Sequence, residues 1–319
     1  MNNKKYICTY FDQNYLPRGL ALFNSLKRFH NDFVFFVLTF DDYTFNYLNQ
    51  INENRIKLIS IKEYNTYFKT SADSFRDRKQ YYFSATPNIC LYLLKEHPYI
   101  DILLYLDADV FLFNSLDTLY DEFGNSSIGL TPHRVNPLLK IFVKHYGKYN
   151  VGVNLFRNSE IGLNCLCDWK NECESWYHGK PGYPLSYFSD QIFLDSWDKK
   201  HKGLKVIENI GVNTCYWNAG NYKFRKIDAV YYVNKTPLII FHFSSLVKES
   251  EIRWNTYSIY GLVSIKGILR EIYQEYINRI ESYGLNNMKR EKIKHKDNLQ
   301  KQIFTLIIKP FINQYVIMK

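Results

Sequence analysis

Asp101-Ile-Leu-Leu-Tyr-Leu-Asp107-Ala-Asp109-Val-Phe-Leu-Phe113 is the stretch whose reading decides the fold. Ile102 to Leu106 is an apolar run of strand length, the pattern of a strand covered on both faces. Two carboxylates follow where that strand leaves the core. Burying an unpaired carboxylate is costly, so Asp107 and Asp109 are expected at a strand end, facing a cation. In an extended chain residues i and i+2 share a side. That predicts two oxygens converging on one Mn²⁺ or Mg²⁺, ions that take carboxylate and water ligands and bridge to substrate phosphates. The plainer reading is a strand cap followed by a polar turn. The apolar run ahead of the pair favours the metal site.

Outward from this stretch, the first half alternates strand-like and helix-like segments. Lys5 to Phe11, Phe33 to Phe40, Ile56 to Ile61 and Asp101 to Phe113 read as strands. Tyr15 to His30 reads as a helix with Asn14 as its N-cap, Asp42 to Ile51 as a short helix, and Arg78 to Glu96 as a helix that Pro87 should kink or restart. This order predicts an α/β fold, a mostly parallel Rossmann-type sheet flanked by helices. Ligands of such sheets gather at the carboxyl ends of the strands, where Asp107 and Asp109 fall. Further on, Tyr149 to Phe156 and Leu238 to Phe243 read as strands. Ser159 to Tyr177, Phe188 to Trp197 and Tyr257 to Tyr283 read as helices.

Composition bounds the rest. The 319 residues are 46% hydrophobic and 18% aromatic, enough for a sizeable core and against global disorder. No secretory signal pattern opens the sequence and no run of about twenty apolar residues exists. The expectation is a cytoplasmic protein. Cys165, Cys167 and Cys173 lack a second ligand pair, so reduced thiols are expected there rather than zinc. The net charge is +10, but residues 286–319 hold eight basic residues against two acids, a net of +6. The remaining body carries only +4, unlike a nucleic-acid binder, whose charge sits on the fold itself. The division expected is a domain over residues 1–284 and a helical, basic, amphipathic C-terminal tail over 285–319. A basic stretch beside an apolar one fits a helix lying on an anionic membrane surface, peripheral to its inner face; the alternative is a helix packed on the body or on a partner chain.

Four other segments carry candidate chemistry. Thr9-Tyr10-Phe11-Asp12-Gln13-Asn14-Tyr15 joins the first strand to the first helix and can hold a nucleotide. Asp12 would accept from a base N–H and Tyr15 would stack on the ring, unless the turn is only an Asx cap. No glycine-rich dinucleotide fingerprint or P-loop follows that strand, which argues against an oxidoreductase or a P-loop nucleotidase. His242 closes the apolar run Ile239 to Phe241 and could bring an imidazole to the cation, although a lone histidine after a strand is more often structural. Lys248 could neutralise a phosphate. Tyr149-Asn150-Val151-Gly152-Val153-Asn154 places two amides around a glycine in a strand, where backbone can approach a ligand. Asp190 and Gln191 open a short helix whose first turn could aim into a cleft; the plainer reading is an acid at a helix start, as the macrodipole favours.

These five blocks, in the order the chain carries them from Thr9 to Lys248, resemble glycosyltransferase family 8 over about residues 5 to 250. Its members are nucleotide-sugar transferases of the GT-A fold, including bacterial lipopolysaccharide galactosyl- and glucosyltransferases. The resemblance implies a UDP-sugar donor. It makes Asp12, Asn14 and Tyr15 nucleotide contacts, with Thr9 and Tyr10 in the same turn, and Asn150 a donor-sugar contact. Asp107, Asp109 and His242 become metal ligands, Asp190 and Gln191 the catalytic pair beside the anomeric carbon, and Lys248 a phosphate contact. Ser245 stands where the family has glycine, Glu249 where it has proline, and Asn88 near the place of an arginine, with Arg76 and Arg78 upstream.

The expectation is a metal-dependent hexosyltransferase that moves a sugar from a UDP-sugar to a hydroxyl of a glycan or lipid-linked saccharide, as in lipopolysaccharide biosynthesis. Two other classes use the same sheet: a sugar-phosphate nucleotidyltransferase, which would want a glycine-rich, lysine-bearing loop after the first strand, and a catalytically silent glycan-binding protein. A haloacid-dehalogenase phosphatase needs Thr or Val two residues after the second Asp, where Phe111 stands.

Overall fold

A computed structural model describes residues 4–75, 78–142, 147–178, 189–285 and 309–318. The first half runs β1 (Lys5–Phe11), α1 (Leu16–Phe29), β2 (Phe33–Thr39), α2 (Asp42–Ile51), β3 (Ile56–Ser60), α3 (Ile61–Phe68), α4 (Arg78–Glu96), β4 (Ile102–Leu106), β5 (Val110–Leu112), α5 (Asp117–Phe123) and β6 (Ile128–Pro132). β7 (Tyr149–Arg157), α6 (Glu160–Tyr177), α7 (Trp197–Lys200) and β8 (Leu204–Val206) complete the main layers. The sheet order is β3-β2-β1-β4-β7-β6-β8. Only β7 runs against its neighbours, Leu106 of β4 lying opposite Val153. Apolar runs in β1, β2 and β4 are covered on both faces, as their composition requires. One core layer packs α4 and α6 on the sheet around Trp169, Trp197 and Tyr105. The opposite layer packs α1 around Leu20, Phe23 and Leu104.

The remainder is α8 (Tyr216–Ala219), β9 (Phe224–Ile227), β10 (Val230–Val233), β11 (Thr236–Pro237), β12 (Ile240–His242), β13 (Val247–Lys248), β14 (Arg253–Asn255), α9 (Gly267–Glu281) and β15 (Tyr315–Ile317). β12 pairs with β5, which sets His242 opposite Val110. β15 pairs with β14, and Val316 is fully buried opposite Trp254.

Five local expectations are corrected. The strand expected over Asp101 to Phe113 breaks into β4 and β5, because Asp107 to Val110 is a turn closed by Val110 N–H donating to the Asp107 carbonyl at 3.2 Å. The two carboxylates therefore meet through a turn, not through strand alternation. α4 runs unbroken through Pro87, whose side chain is buried between Thr86 and Asn88; packing on the sheet outweighs the lost hydrogen bond. Asn14 does not cap α1. Tyr15 holds that position, and Asn14 instead closes an Asx turn on Asp12. The helix expected over Phe188 to Trp197 is a 3-10 helix, Asp190–Ser196, running into α7. The helix expected over Tyr257 to Tyr283 splits into a 3-10 turn, Ser258–Gly261, and α9. Tyr257 and Leu262 hold φ of 53° and 54° at its ends. A Cβ at Gly261 would lie 1.9 Å from the Tyr216 carbonyl oxygen, so only glycine lets this turn pass α8.

The tail also departs from a helix where it is described: Tyr315–Ile317 is a strand. Residues 286–308 and 319 lie outside the described residues. All six cysteines are free.

Candidate active site

The site forms where β4 ends. Asp107 follows β4 and donates its N–H to the Gly152 carbonyl at 3.0 Å; the Asp109 carbonyl accepts from Phe243 N–H at 2.8 Å. Three separated segments are thus tied to one point by backbone bonds. The carboxylates each use one oxygen for anchoring. Asp107 Oδ1 accepts from Tyr105 Oη at 2.8 Å, and Asp109 Oδ2 faces Arg18 Nη1 at 3.9 Å. The other oxygens face His242 Nε2, Asp109 Oδ1 at 3.1 Å and Asp107 Oδ2 at 3.7 Å. The donor atoms of Asp107, Asp109 and His242 all lie within 4.8 Å of one another.

Gly152 makes this approach possible. A Cβ there would sit 2.6 Å from both Cε1 and Nδ1 of His242. The backbone approach expected at this glycine is therefore to the imidazole. Trp217 packs edge-on to the same ring, centroids 5.2 Å apart.

The electrostatics follow from burial. Asp107 is raised to about 6, first by burial and also by Asp109, while His242 opposes the shift. Asp190 is pushed well above the ordinary carboxylate range by burial and then by Asp107. Burial disfavours the His242 imidazolium, but Asp109 and Asp107 outweigh it and raise the group above its usual value. Tyr10 is pushed up by burial, then by Asp107 and Asp190. The site therefore concentrates negative charge that a cation would relieve.

The other sequence candidates fall around this point. Asn150 on β7 donates toward Gln191 Oε1 at 3.4 Å, and Asp190 is buried with Oδ2 lacking a hydrogen-bond partner. Tyr10 contacts Thr86 Oγ1 at 3.1 Å and stacks obliquely on Tyr105. Asp12 accepts from both the N–H and the side-chain amide of Asn14, at 2.9 and 3.1 Å, so the Asx-turn reading is realised. Thr9 is wholly buried inside β1 and is not brought to the site surface. Lys248 is not brought to the cluster either: its Nζ pairs with Glu281 at 2.6 Å. Asn88 donates to Tyr64 Oη at 2.9 Å.

Sequence reasoning missed Arg18, Tyr105, His133 and Asn213. Arg18 is buried, donates to the Leu246 carbonyl at 2.5 Å, lies over the Tyr15 ring at 5.0 Å, and leaves Nη1 without a hydrogen-bond partner. It links the β1–α1 turn to Asp109. An arginine in the first turn of an apolar helix was the available signal, since such a charge is rarely buried without a counter-charge.

Comparisons with known proteins bear on this geometry. Residues 33–130, which include Asp107 and Asp109, match the galactosyl transferase GMA12/MNN10 family. Two uncharacterised proteins of Bacillus subtilis (strain 168) are similar along most of the chain. YfnD is 23% identical over 87% of this chain and 89% of its own length. YfnF is 25% identical over 77% and 84%. The galactosyltransferase LgtC, solved with donor and acceptor sugar analogues, superposes with a TM-score of 0.52. That match covers 75% of this chain and 87% of LgtC at 17% identity. The fold is that of the GT-A glycosyltransferases. Family match and fold agree on a sugar transferase, and the expected α/β architecture, with its mostly parallel sheet, is borne out.

Proposed function

We propose that the protein transfers a sugar from a UDP-sugar to a hydroxyl of a glycan or lipid-linked acceptor, using a divalent cation held by Asp107, Asp109 and His242. The observation that carries this reading is the convergence of those three donors from β4, its turn and β12. Two carboxylate oxygens and an imidazole nitrogen are a donor set that fits Mn²⁺ or Mg²⁺. Such an ion, when bound, supplies positive charge to a departing diphosphate.

The chain's own groups account for the rest. Sugar transfer breaks a sugar–phosphate bond with oxocarbenium character, as glycoside hydrolysis does. Negative charge grows on the diphosphate, so a site already rich in carboxylates needs fixed compensation. Arg18 provides it beside Asp109 and next to the Tyr15 turn, the nucleotide side of this proposal. Asp12, Asn14 and Tyr15 would hold the base, with Tyr10 beneath them. Asp190, its carboxyl pushed up by burial and then by Asp107, would hydrogen-bond a sugar hydroxyl. Gln191 and Asn150 line the sugar side. Lys248 reaches a phosphate only by leaving Glu281.

The transferase domain of this proposal is residues 1–284. Of the tail, 285–319, the basic stretch from Lys289 to Lys301 would contact an anionic membrane surface and bring the site to a lipid-linked acceptor at the inner face. Among the described residues no helix is long and apolar enough to cross a membrane. Cosedimentation with phosphatidylglycerol vesicles tests this part: salt-sensitive pelleting of the full chain supports it, and no pelleting removes it.

The test of the whole reading is UDP release from a panel of UDP-sugars with Mn²⁺. Turnover that Asp109→Ala abolishes supports transfer. Pyrophosphate-dependent formation of UTP instead would favour a nucleotidyltransferase, and binding without turnover a silent glycan-binding protein.

A further inference from the structure

A buried chain of hydrogen bonds fixes which nitrogen of His242 faces the carboxylates. It starts at a donor that cannot be reversed. The Gly152 backbone N–H donates to one side-chain atom of Asn150 at 2.9 Å, so that atom is the oxygen. The Asn213 atom that meets this oxygen at 2.9 Å must then be the amide nitrogen. The same nitrogen donates to Thr131 Oγ1 at 2.8 Å, whose own hydroxyl donates to the Val153 carbonyl at 3.1 Å. Asn213 therefore presents its oxygen to His242 Nδ1, 3.1 Å away, and Nδ1 must carry the hydrogen. Nε2, 3.1 Å from Asp109 Oδ1, is then the nitrogen that would offer its lone pair to a cation held between Asp107 and Asp109.

The other end of the chain agrees. Asn150 Nδ2 approaches His133 Nε2 at 3.3 Å, and His133 Nδ1 donates to the Gly147 carbonyl at 2.9 Å. His133 is held down to about 4 by burial, so it stays neutral and keeps this direction at physiological pH. Asn213 is fully buried with φ of 58°, a left-handed conformation that asparagine tolerates better than most residues. The Asn213 side chain also accepts a placement no apolar residue could use, since all its polar atoms are engaged.

We infer that Asn213 is the positioning residue of the cation site: it locks His242 as the Nδ1–H form and aims Nε2 at the cation. Partners that orient a metal-bound histidine in this way typically change metal affinity about 10–100-fold when removed. The inference rests on the cation reading above, but its spectroscopic arm does not. In protein labelled with ¹⁵N at histidine, the His242 Nδ1–H resonance is expected both metal-free and with Mg²⁺. A His242 that carries hydrogen on Nε2 alone in either state would overturn the assignment. By titration of free Mn²⁺ by electron paramagnetic resonance, Asn213→Leu is expected to bind at least about tenfold more weakly. Asn213→Asp, which keeps an acceptor for Nδ1–H, is expected to lose less. Wild-type Mn²⁺ affinity in a folded Asn213→Leu protein would overturn the positioning role. Absence of Mn²⁺ binding in the unaltered protein would instead sink the transferase reading and leave the tautomer to the ¹⁵N result.

Discussion

At the scale of single residues, the site depends on close approach. Gly152 is the sharpest case, because any Cβ meets the His242 ring at 2.6 Å. Gly152→Ala should displace the imidazole and weaken Mn²⁺ binding by at least about tenfold, read by the same spin-resonance titration, with the fold retained in circular dichroism. Arg18 is the second case. Its guanidinium is buried between Tyr15 and Asp109, and removing one partner of a buried charge pair leaves the other uncompensated. Arg18→Met should weaken UDP binding with Mn²⁺ by at least about tenfold, or ~1.4 kcal/mol, by calorimetry. Lys248→Met should change it less, because Lys248 is engaged by Glu281. The reverse ranking would restore Lys248 as the principal cation. Asp107 and His242 were legible in the sequence because each closes an apolar run, and Asp109 because it follows Asp107 by two residues. Arg18, Tyr105 and Asn213 were not. Each lies within a segment whose local pattern is satisfied by helix, strand or turn, and only the folded chain brings it to the carboxylates.

Secondary-structure elements were legible in proportion to their periodicity. β1, α2 and α4 appear with the bounds their patterns predict. The failures occur where another segment intrudes. The turn at Asp107 to Val110 exists because β5 leaves the main sheet to pair with β12. The long C-terminal helix breaks because α8 occupies its path at Gly261. One contact between elements carries a pH prediction. His30, at the end of α1, accepts the Leu116 N–H at the start of α5 with Nε2 at 3.0 Å. Burial, and then Lys5, lower it from 6.5 to about 4, with Asp117 opposing. The unfolded chain therefore binds more protons between those values. The stability this contact gives is complete above pH 6.5 and lost as pH falls toward 4. Urea unfolding at pH 7 and 4.5 should show that loss, and His30→Gln should reduce it. An equal acid loss in the variant would assign the effect elsewhere.

Across the whole molecule, residues 315–317 are built into the body of the fold. β15 completes the sheet that carries Lys248 on β13, and Val316 is buried against Trp254. Val316→Ala should cost about 2 kcal/mol, the low end for truncating a buried aliphatic side chain, in urea unfolding; an unchanged midpoint would mean β15 is not docked in solution. The overall architecture was legible because the alternation of strands and helices in the first half admits few topologies. The chain's electrostatic plan was less so, since the excess positive charge lies in the tail while the site itself gathers carboxylates. That gathering is the central claim, and it predicts that nucleotide binding needs a cation. The most direct measurement is the thermal unfolding of the unaltered protein with UDP, with and without Mn²⁺. At a hundredfold excess over the dissociation constant a ligand of the folded state adds about 2.7 kcal/mol. The midpoint should rise with UDP plus Mn²⁺, more than with GDP, ADP or CMP, and not with UDP alone. An equal rise without the metal, or a larger one with another nucleotide, would contradict the account.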